Sequence, residues 1–331
     1  MALKKIAVIY NIVEEKSDAA EADTVVSAQW VKEVLDKLGY ETELWGIGKN
    51  EVRKVAEITS DLIFNLIEWT GKETDYALAA IKIMDDRKIP YTGSDIFGYK
   101  LVNDKIDMKK KLVEEKIPTP VYQIFETGEE KIEALPYPVI VKPAKEHCGV
   151  GLDQMSVAEN DEELKKLVSV KIRQFRQLVL AEQFIEGREF HVSILEKNGR
   201  PWVLPAAEVV FENHPGYRHV LTYVGKWVDK EEEYKYTSMR VAEISPEVKE
   251  MINSIATTAY IHLGGRDYPR LDMRYDGKNL WVLEINNNPG IDYDNDSGIG
   301  VSARAAKLTA PQLIDHIVRN CWWRFNNLKN K

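Results

Sequence analysis

The sequence predicts an α/β protein whose N-terminal domain is built on a parallel sheet, and two observations carry this. A short apolar run at 6–10 and further strand-like stretches at 41–45 and 61–67 alternate with helical segments at 21–38 and 76–86, the βαβ order of a parallel sheet. Further along, 270–286 holds two short runs of alternating residues around Asp276-Gly277, which predicts an antiparallel hairpin. The chain has 331 residues, 44% hydrophobic and 30% charged, enough for about two or three globular domains. A net charge of −8 with no basic tail argues against general nucleic-acid binding but leaves room for a local basic pocket. Two cysteines, Cys148 and Cys321, make no disulfide framework. No apolar run reaches the length of a membrane span. The start runs directly into a strand rather than a signal peptide, so a cytoplasmic protein is expected.

In chain order, the strand at 6–10 is followed by a helix with Val25, Val26, Trp30, Val34 and Leu38 on its apolar face. Gly39 ends it. Ligands of parallel sheets bind beyond the carboxyl ends of the strands, which points to 11–16 and 68–73 as the mouth of a site. Taken singly, these read as ordinary polar loops. Residues 89–94 form a connector. Asn103 can cap the helix that begins with Lys105, a helix crowded by Lys109, Lys110 and Lys111. Pro118 and Pro120 make a rigid break. A strand at 137–143 ends in Lys142 and runs into the glycine-containing loop 144–151, whose N–H groups can wrap phosphate oxygens. Strands at 190–195 and 201–205 flank Asn198-Gly199. The stretch 211–235 is polar and irregular, with the length of a lid or of a disordered segment. Ser245 caps a helix over 247–263, and 303–308 and 311–327 are helical. Trp322 and Trp323 read as core or dimer contacts, which leaves a homodimer open.

The hairpin carries the chemistry. Arg270, Asp272 and Arg274 share one face of its first strand; Val282, Glu284 and Asn286 share a face of the second, opposite Trp281, Leu283 and Ile285. For Asp272 and Glu284 to meet across the hairpin, their even parity requires an odd-length loop, with Gly277 supplying the positive φ. Two carboxylates and an amide oxygen, with no His or Cys beside them, are hard ligands suited to Mg²⁺, whose octahedron substrate phosphates would complete. A solvated face with scattered charge is the alternative. The sequel Asn286-Asn287-Asn288-Pro289-Gly290 weighs against it, because the chain turns sharply there and exposes N–H groups.

This segment resembles the metal-binding motif of the ATP-grasp superfamily, and most closely that of the D-alanine–D-alanine ligase family. The resemblance runs from about Tyr91 to the end. It implies an N-terminal parallel βαβ domain over 1–93, followed by a two-lobed ATP-grasp fold with a central lobe at 94–183 and a C-terminal lobe at 184–331. It also implies ATP as the nucleotide and Mg²⁺, with Mn²⁺ as the substitute, on Asp272, Glu284 and Asn286. Lys105 and Lys142 stand at the family's phosphate lysines, and Glu182, Gln183, Phe184 and Ile185 at its adenine hinge. Glu189 matches the ribose acid. Lys226-Trp227 matches the lysine and aromatic of a mobile loop, with Trp for the usual Tyr. Arg270 and the Gly290 N–H would stabilise charge on reacting oxygens.

The resemblance implies a ligase for a small-molecule carboxylate and an amine. ATP phosphorylates the carboxylate, and the amine then displaces phosphate from the acyl phosphate. The alternatives are D-alanine–D-alanine ligase itself and a nucleotide-binding protein without turnover. The sequence departs from the family at its substrate motifs. His147-Cys148-Gly149 replaces Gly-Ser-Ser, and Asn295, between Asp294 and Asp296, replaces a serine that holds the acceptor carboxylate. Glu14 or Glu15 would have to hold the first substrate's amine, without the family's surrounding motif.

Overall fold

The computed structural model describes residues 3–12, 19–69, 71–228 and 230–328. The first sheet contains β1 (Lys5–Asn11), β2 (Glu41–Ile47) and β3 (Leu62–Leu66), all parallel, in the order β2-β1-β3. Helix α1 (Ala19–Lys37) crosses from β1 to β2, and α2 (Thr74–Asp86) follows β3. The runs of β1 and β3 are buried on both faces, as strands covered by helices on both sides must be. One face packs against Val31 and Leu35 of α1, the other against Ala77, Ala80 and Ile81 of α2.

The connector at 92–94 is tied down by groups far along the chain. The Gly93 N–H donates to Asp267 Oδ2 (2.8 Å) and the Ser94 N–H to Asn288 Oδ1 (2.8 Å). Helices α3 (Ile96–Asn103) and α4 (Lys105–Glu114) follow. A four-stranded sheet comes next, order β4-β7-β5-β6, from β4 (Tyr122–Phe125), β5 (Val139–Pro143), β6 (Val157–Ala158) and β7 (Val179–Gln183). Between β6 and β7, α5 (Asp161–Phe175) covers one face, its N-terminus capped by Asn160, whose side chain accepts the Glu163 N–H.

The third sheet is largely antiparallel and runs β11-β10-β8-β12-β13, with β9 pairing on β8. Its strands are β8 (Arg188–Lys197), β9 (Arg200–Val203), β10 (Ala207–Phe211), β11 (Thr237–Val241), β12 (Arg270–Tyr275) and β13 (Leu280–Asn286). Helix α6 (Tyr223–Trp227) lies between β10 and β11, and α7 (Pro246–His262) packs on the sheet's apolar face. Helices α8 (Gly298–Ala305) and α9 (Ala310–Leu328) complete the chain, and α9 joins the core beneath the first sheet through Leu313, Ile314 and Ile317.

Three expectations are corrected. The hairpin loop, 276–279, is even in length, with Gly277 at φ +94. Asp272 nevertheless pairs directly with Glu284, because a β-bulge at Leu283 shifts the register by one residue. The bulge also changes the faces: Val282 joins Leu280 and Ile285 in the core, while Leu283 turns to the side of Glu284. Second, 211–235 is not irregular throughout. It contains α6, capped by Thr222, and an aromatic cluster in which His214 stacks on Tyr236 (4.4 Å) and meets Tyr217 (5.0 Å). Third, the helix expected at 303–308 begins at Gly298, because the Ser297 hydroxyl caps it by accepting the Gly300 N–H.

Candidate active site

A cleft of about 1130 Å³ opens between the three sheets. Sixteen candidate positions line it: Lys105, Lys142, Cys148, Glu182, Gln183 and Phe184; Ile185, Glu189, Lys226, Arg270 and Asp272; and Glu284, Asn286, Gly290, Asp294 and Asn295. Glu14 and Glu15 lie outside the described residues. Glu68, at the mouth expected from β3, also lines the cleft.

On the hairpin, Asp272 and Glu284 face each other and Asn286 Nδ2 lies 3.5 Å from Asp272 Oδ2. The Arg270 guanidinium forks onto both Asp272 oxygens at 2.6 and 2.7 Å. Burial works against this guanidinium's charge, but Asp272 and Glu284 raise its pKa above the ordinary arginine range. Lys105 Nζ sits 3.7 Å from Glu284 Oε2 and donates to Glu146 O. Burial opposes ionisation of Glu284, yet Lys105, His147, Lys142 and Arg270 hold its pKa below the usual carboxylate range. Among the described residues, no three His, Cys, Asp or Glu side chains form a metal cluster. Asp272, Glu284 and Asn286 present hard oxygen donors on one face of the hairpin, a set suited to a cation that shares its shell with phosphates.

Glu182, on β7, is fully buried between two ammoniums, with Lys109 Nζ and Lys142 Nζ each 2.6 Å from one of its oxygens. Lys109 also donates to Thr119 Oγ1 at 2.7 Å. Sequence reasoning missed this lysine inside a charged run. The signal was present, because Lys105, Met108, Lys109 and Leu112 follow the i, i+3, i+4, i+7 spacing of a buried stripe. Farther along the cleft, Ile140, Phe184, Val220 and Leu152 form an apolar patch. Beside it, Arg274 binds Glu189 at 2.7 Å and donates to the carbonyls of Ile185 and Gly187, each at 3.3 Å. Burial opposes ionisation of Glu189, but Arg274 outweighs it and the pKa falls to about 2.

The glycine loop and the 211–235 segment are in contact. Trp227 Nε1 donates to Cys148 O at 2.9 Å, and Lys226 Nζ lies 4.8 Å over the Trp227 ring. Buried Lys171 donates to Gly151 O and, at 3.0 Å, to Ser156 Oγ, which fixes the end of the glycine loop. Burial raises the Cys148 thiol pKa, which disfavours the thiolate. In the acidic loop, Asp294, Asn295 and Asp296 are exposed, and burial together with Asp294 and Asp296 raises the Asp292 carboxyl pKa. Arg304 holds this loop by its backbone, donating to Tyr293 O and, at 2.8 Å, to Asp294 O. Asn287 and Asn288, within the hairpin's Asn run, hold backbone: Asn287 Nδ2 donates to Leu263 O at 2.9 Å.

His147 gives a pH expectation. Its Nε2 lies 3.2 Å from Asn103 O, and burial beside Lys105 depresses its pKa to about 4. A proton on this ring is favoured in the unfolded chain, so stability is intact above about pH 6.5 and falls as pH drops toward 4. Between pH 7 and 4.5 this group should remove about 2–3 kcal/mol. Urea unfolding at both pH values measures it: His147→Gln should lose less than the wild type by that amount, and equal losses would refute a buried neutral imidazole.

A family model described as D-ala D-ala ligase C-terminus matches residues 114–319. The chain is similar to a D-alanine–D-alanine ligase of Thermotoga maritima, with 30% identity over 298 residues, covering 89% of this chain and 91% of the relative. Its fold is similar to the crystal structure of D-alanine–D-alanine ligase from Bacillus anthracis complexed with ATP, at 23% identity, TM-score 0.75 and 98% and 99% coverage. It is similar also to that of the VanG D-Ala:D-Ser ligase from Enterococcus faecalis, at 20% identity, TM-score 0.75 and 97% and 100% coverage. No described helix is long and apolar enough to cross a membrane.

Proposed function

The chain belongs to the D-alanine–D-alanine ligase family and is an ATP-dependent ligase that forms amide bonds; from this we propose that it joins a small-molecule carboxylate to an amine through an acyl phosphate, releasing ADP and phosphate. The observation that carries this reading is the facing of Asp272 and Glu284, beside Lys105 and Lys142, at one end of a cleft whose other end is apolar.

Adenine lies between Ile140, Phe184 and Val220, against the backbone of 182–185. The N–H groups of Gln183 and Phe184 already donate to Val121 O and Pro138 O, which directs the donor role to Ile185. Glu189, kept ionised, accepts from the ribose hydroxyls. Lys105, Lys142 and, from the lid, Lys226 bind phosphate oxygens. Asp272, Glu284 and Asn286 would hold Mg²⁺, with Mn²⁺ as its substitute, and such a cation would supply positive charge to phosphate oxygens. Arg270 keeps one guanidinium edge on Asp272 and, with the Gly290 N–H, stabilises charge on the reacting carbonyl and phosphoryl oxygens.

The acceptor is an amine bearing a second positive charge or hydroxyl groups. Asp292, Asp294 and Asp296 line its end of the cleft and would repel a simple carboxylate. The names of the relatives favour a second reading, D-alanine as both substrates. Phosphate release with D-alanine as the only amino acid, set against a panel of cationic amines paired with carboxylates, separates the two. A kcat/KM for D-alanine of about 10⁴ M⁻¹s⁻¹ or more, above that for every cationic amine, would establish the second reading.

A further inference from the structure

His191 is not explained by the roles assigned so far. It lies on β8, directly opposite Asp272 on β12 and two residues from Glu189, so the three side chains share one face of the sheet. The ring is 3% exposed, lines the cleft, and has no hydrogen-bond partner at either nitrogen among the described residues. Nε2 is 3.8 Å from Glu189 Oε1 and 3.8 Å from Asp272 Oδ1, too far to bond either. Neither carboxylate needs the imidazole as a counter-ion, because Arg274 serves Glu189 and Arg270 serves Asp272. Nδ1 lies on the Gly298 side, where an added Cβ would fall a tight 3.0 Å from it, and Nε2 faces the two carboxylates.

Buried polar groups have partners in native proteins, so an imidazole orphaned at both nitrogens and facing a cleft is a donor awaiting a ligand. The ligand follows from position. If Glu189 holds the ribose and Asp272 the cation on the terminal phosphates, the nucleotide must pass over the ring between them. We propose that His191 is a nucleotide-binding residue of this chain, its Nε2–H donating to a phosphate oxygen on the ribose side of the cation site. The inference rests on the nucleotide reading above.

Calorimetric titration of the full chain with Mg-ATP, AMP and adenosine tests it. His191→Leu keeps the volume and removes the donor, so binding of Mg-ATP and AMP should weaken by about tenfold or more, while adenosine changes by less than about twofold. His191→Gln returns a donor near Nε2 and should recover most of the loss. If the Leu variant does not fold, His191→Ala carries the same comparison. Equal weakening of adenosine and Mg-ATP would overturn the phosphate contact, as would unchanged binding of Mg-ATP, the result expected if His191 binds only water. A wild-type protein that binds neither nucleotide would instead reject the nucleotide reading itself.

Discussion

Replacing Glu284 by Gln is expected to lower turnover by about three powers of ten while the protein stays folded. The amide keeps the shape and removes one charge from the pair facing Asp272. If the cation site contributes about 4 kcal/mol to the transition state, at 1.36 kcal/mol per tenfold, that is the loss. Lys105, buried and 3.7 Å from Glu284, also loses its nearest counter-charge, so its ammonium becomes harder to keep beside the phosphates. Phosphate release under saturating ATP should show the fall in kcat, and the Mg²⁺ concentration for half-maximal rate should rise. A melting curve checks the fold. Turnover within about threefold of wild type would mean that the hairpin is not where the cation binds.

The hairpin also shows how far the sequence could be read. Alternation in 270–275 and the Asp276-Gly277 turn were sufficient to place Arg270, Asp272 and Arg274 on the cleft side. The second strand was ambiguous, because Leu280, Trp281, Val282, Leu283 and Ile285 are apolar in both phases. The bulge resolves it: leaving Glu284 in phase with Val282 would have driven a carboxylate into the core, and slipping one residue at Leu283 avoids that cost. The βαβ order was legible for a similar reason, since it rests on a local pattern. What was not legible depends on partners far away in the chain. Asp267 holds Gly93, Asn288 holds Ser94, and Arg324 on α9 closes over Asp267 and Glu196, a network joining the connector, the third sheet and α9 that no local spacing reveals. His191 belongs with these: its sequence neighbours give no hint that it faces Asp272.

The cluster of Lys109, Glu182 and Lys142 should be the most sensitive point of the fold, with a definite order among its variants. The site holds two ammoniums on one carboxylate, all three buried or nearly so, at 2.6 Å each. Burial opposes ionisation of Glu182, but the two lysines prevail and lower its pKa. This carboxylate therefore contributes stability that is present above its unfolded pKa and lost as pH falls through the lower folded value. Glu182→Gln leaves two buried ammoniums facing a neutral amide, and removing the partner of a buried charge costs about 3–5 kcal/mol. Lys109→Met removes the other kind of member. It leaves a one-to-one pair of Glu182 with Lys142 and fills the space with an apolar chain, so it should cost far less, although Thr119 loses one contact. Urea unfolding at pH 7 with unchanged m-value should give Glu182→Gln as the larger loss by at least about 2 kcal/mol. In Lys109→Met, Lys142 stays anchored and Mg-ATP binding should be nearly retained. In Glu182→Gln the lysine has no anchor, and binding should weaken even at temperatures where the variant is fully folded. The reverse order of stability would show that Lys109, not the carboxylate, holds the cluster together.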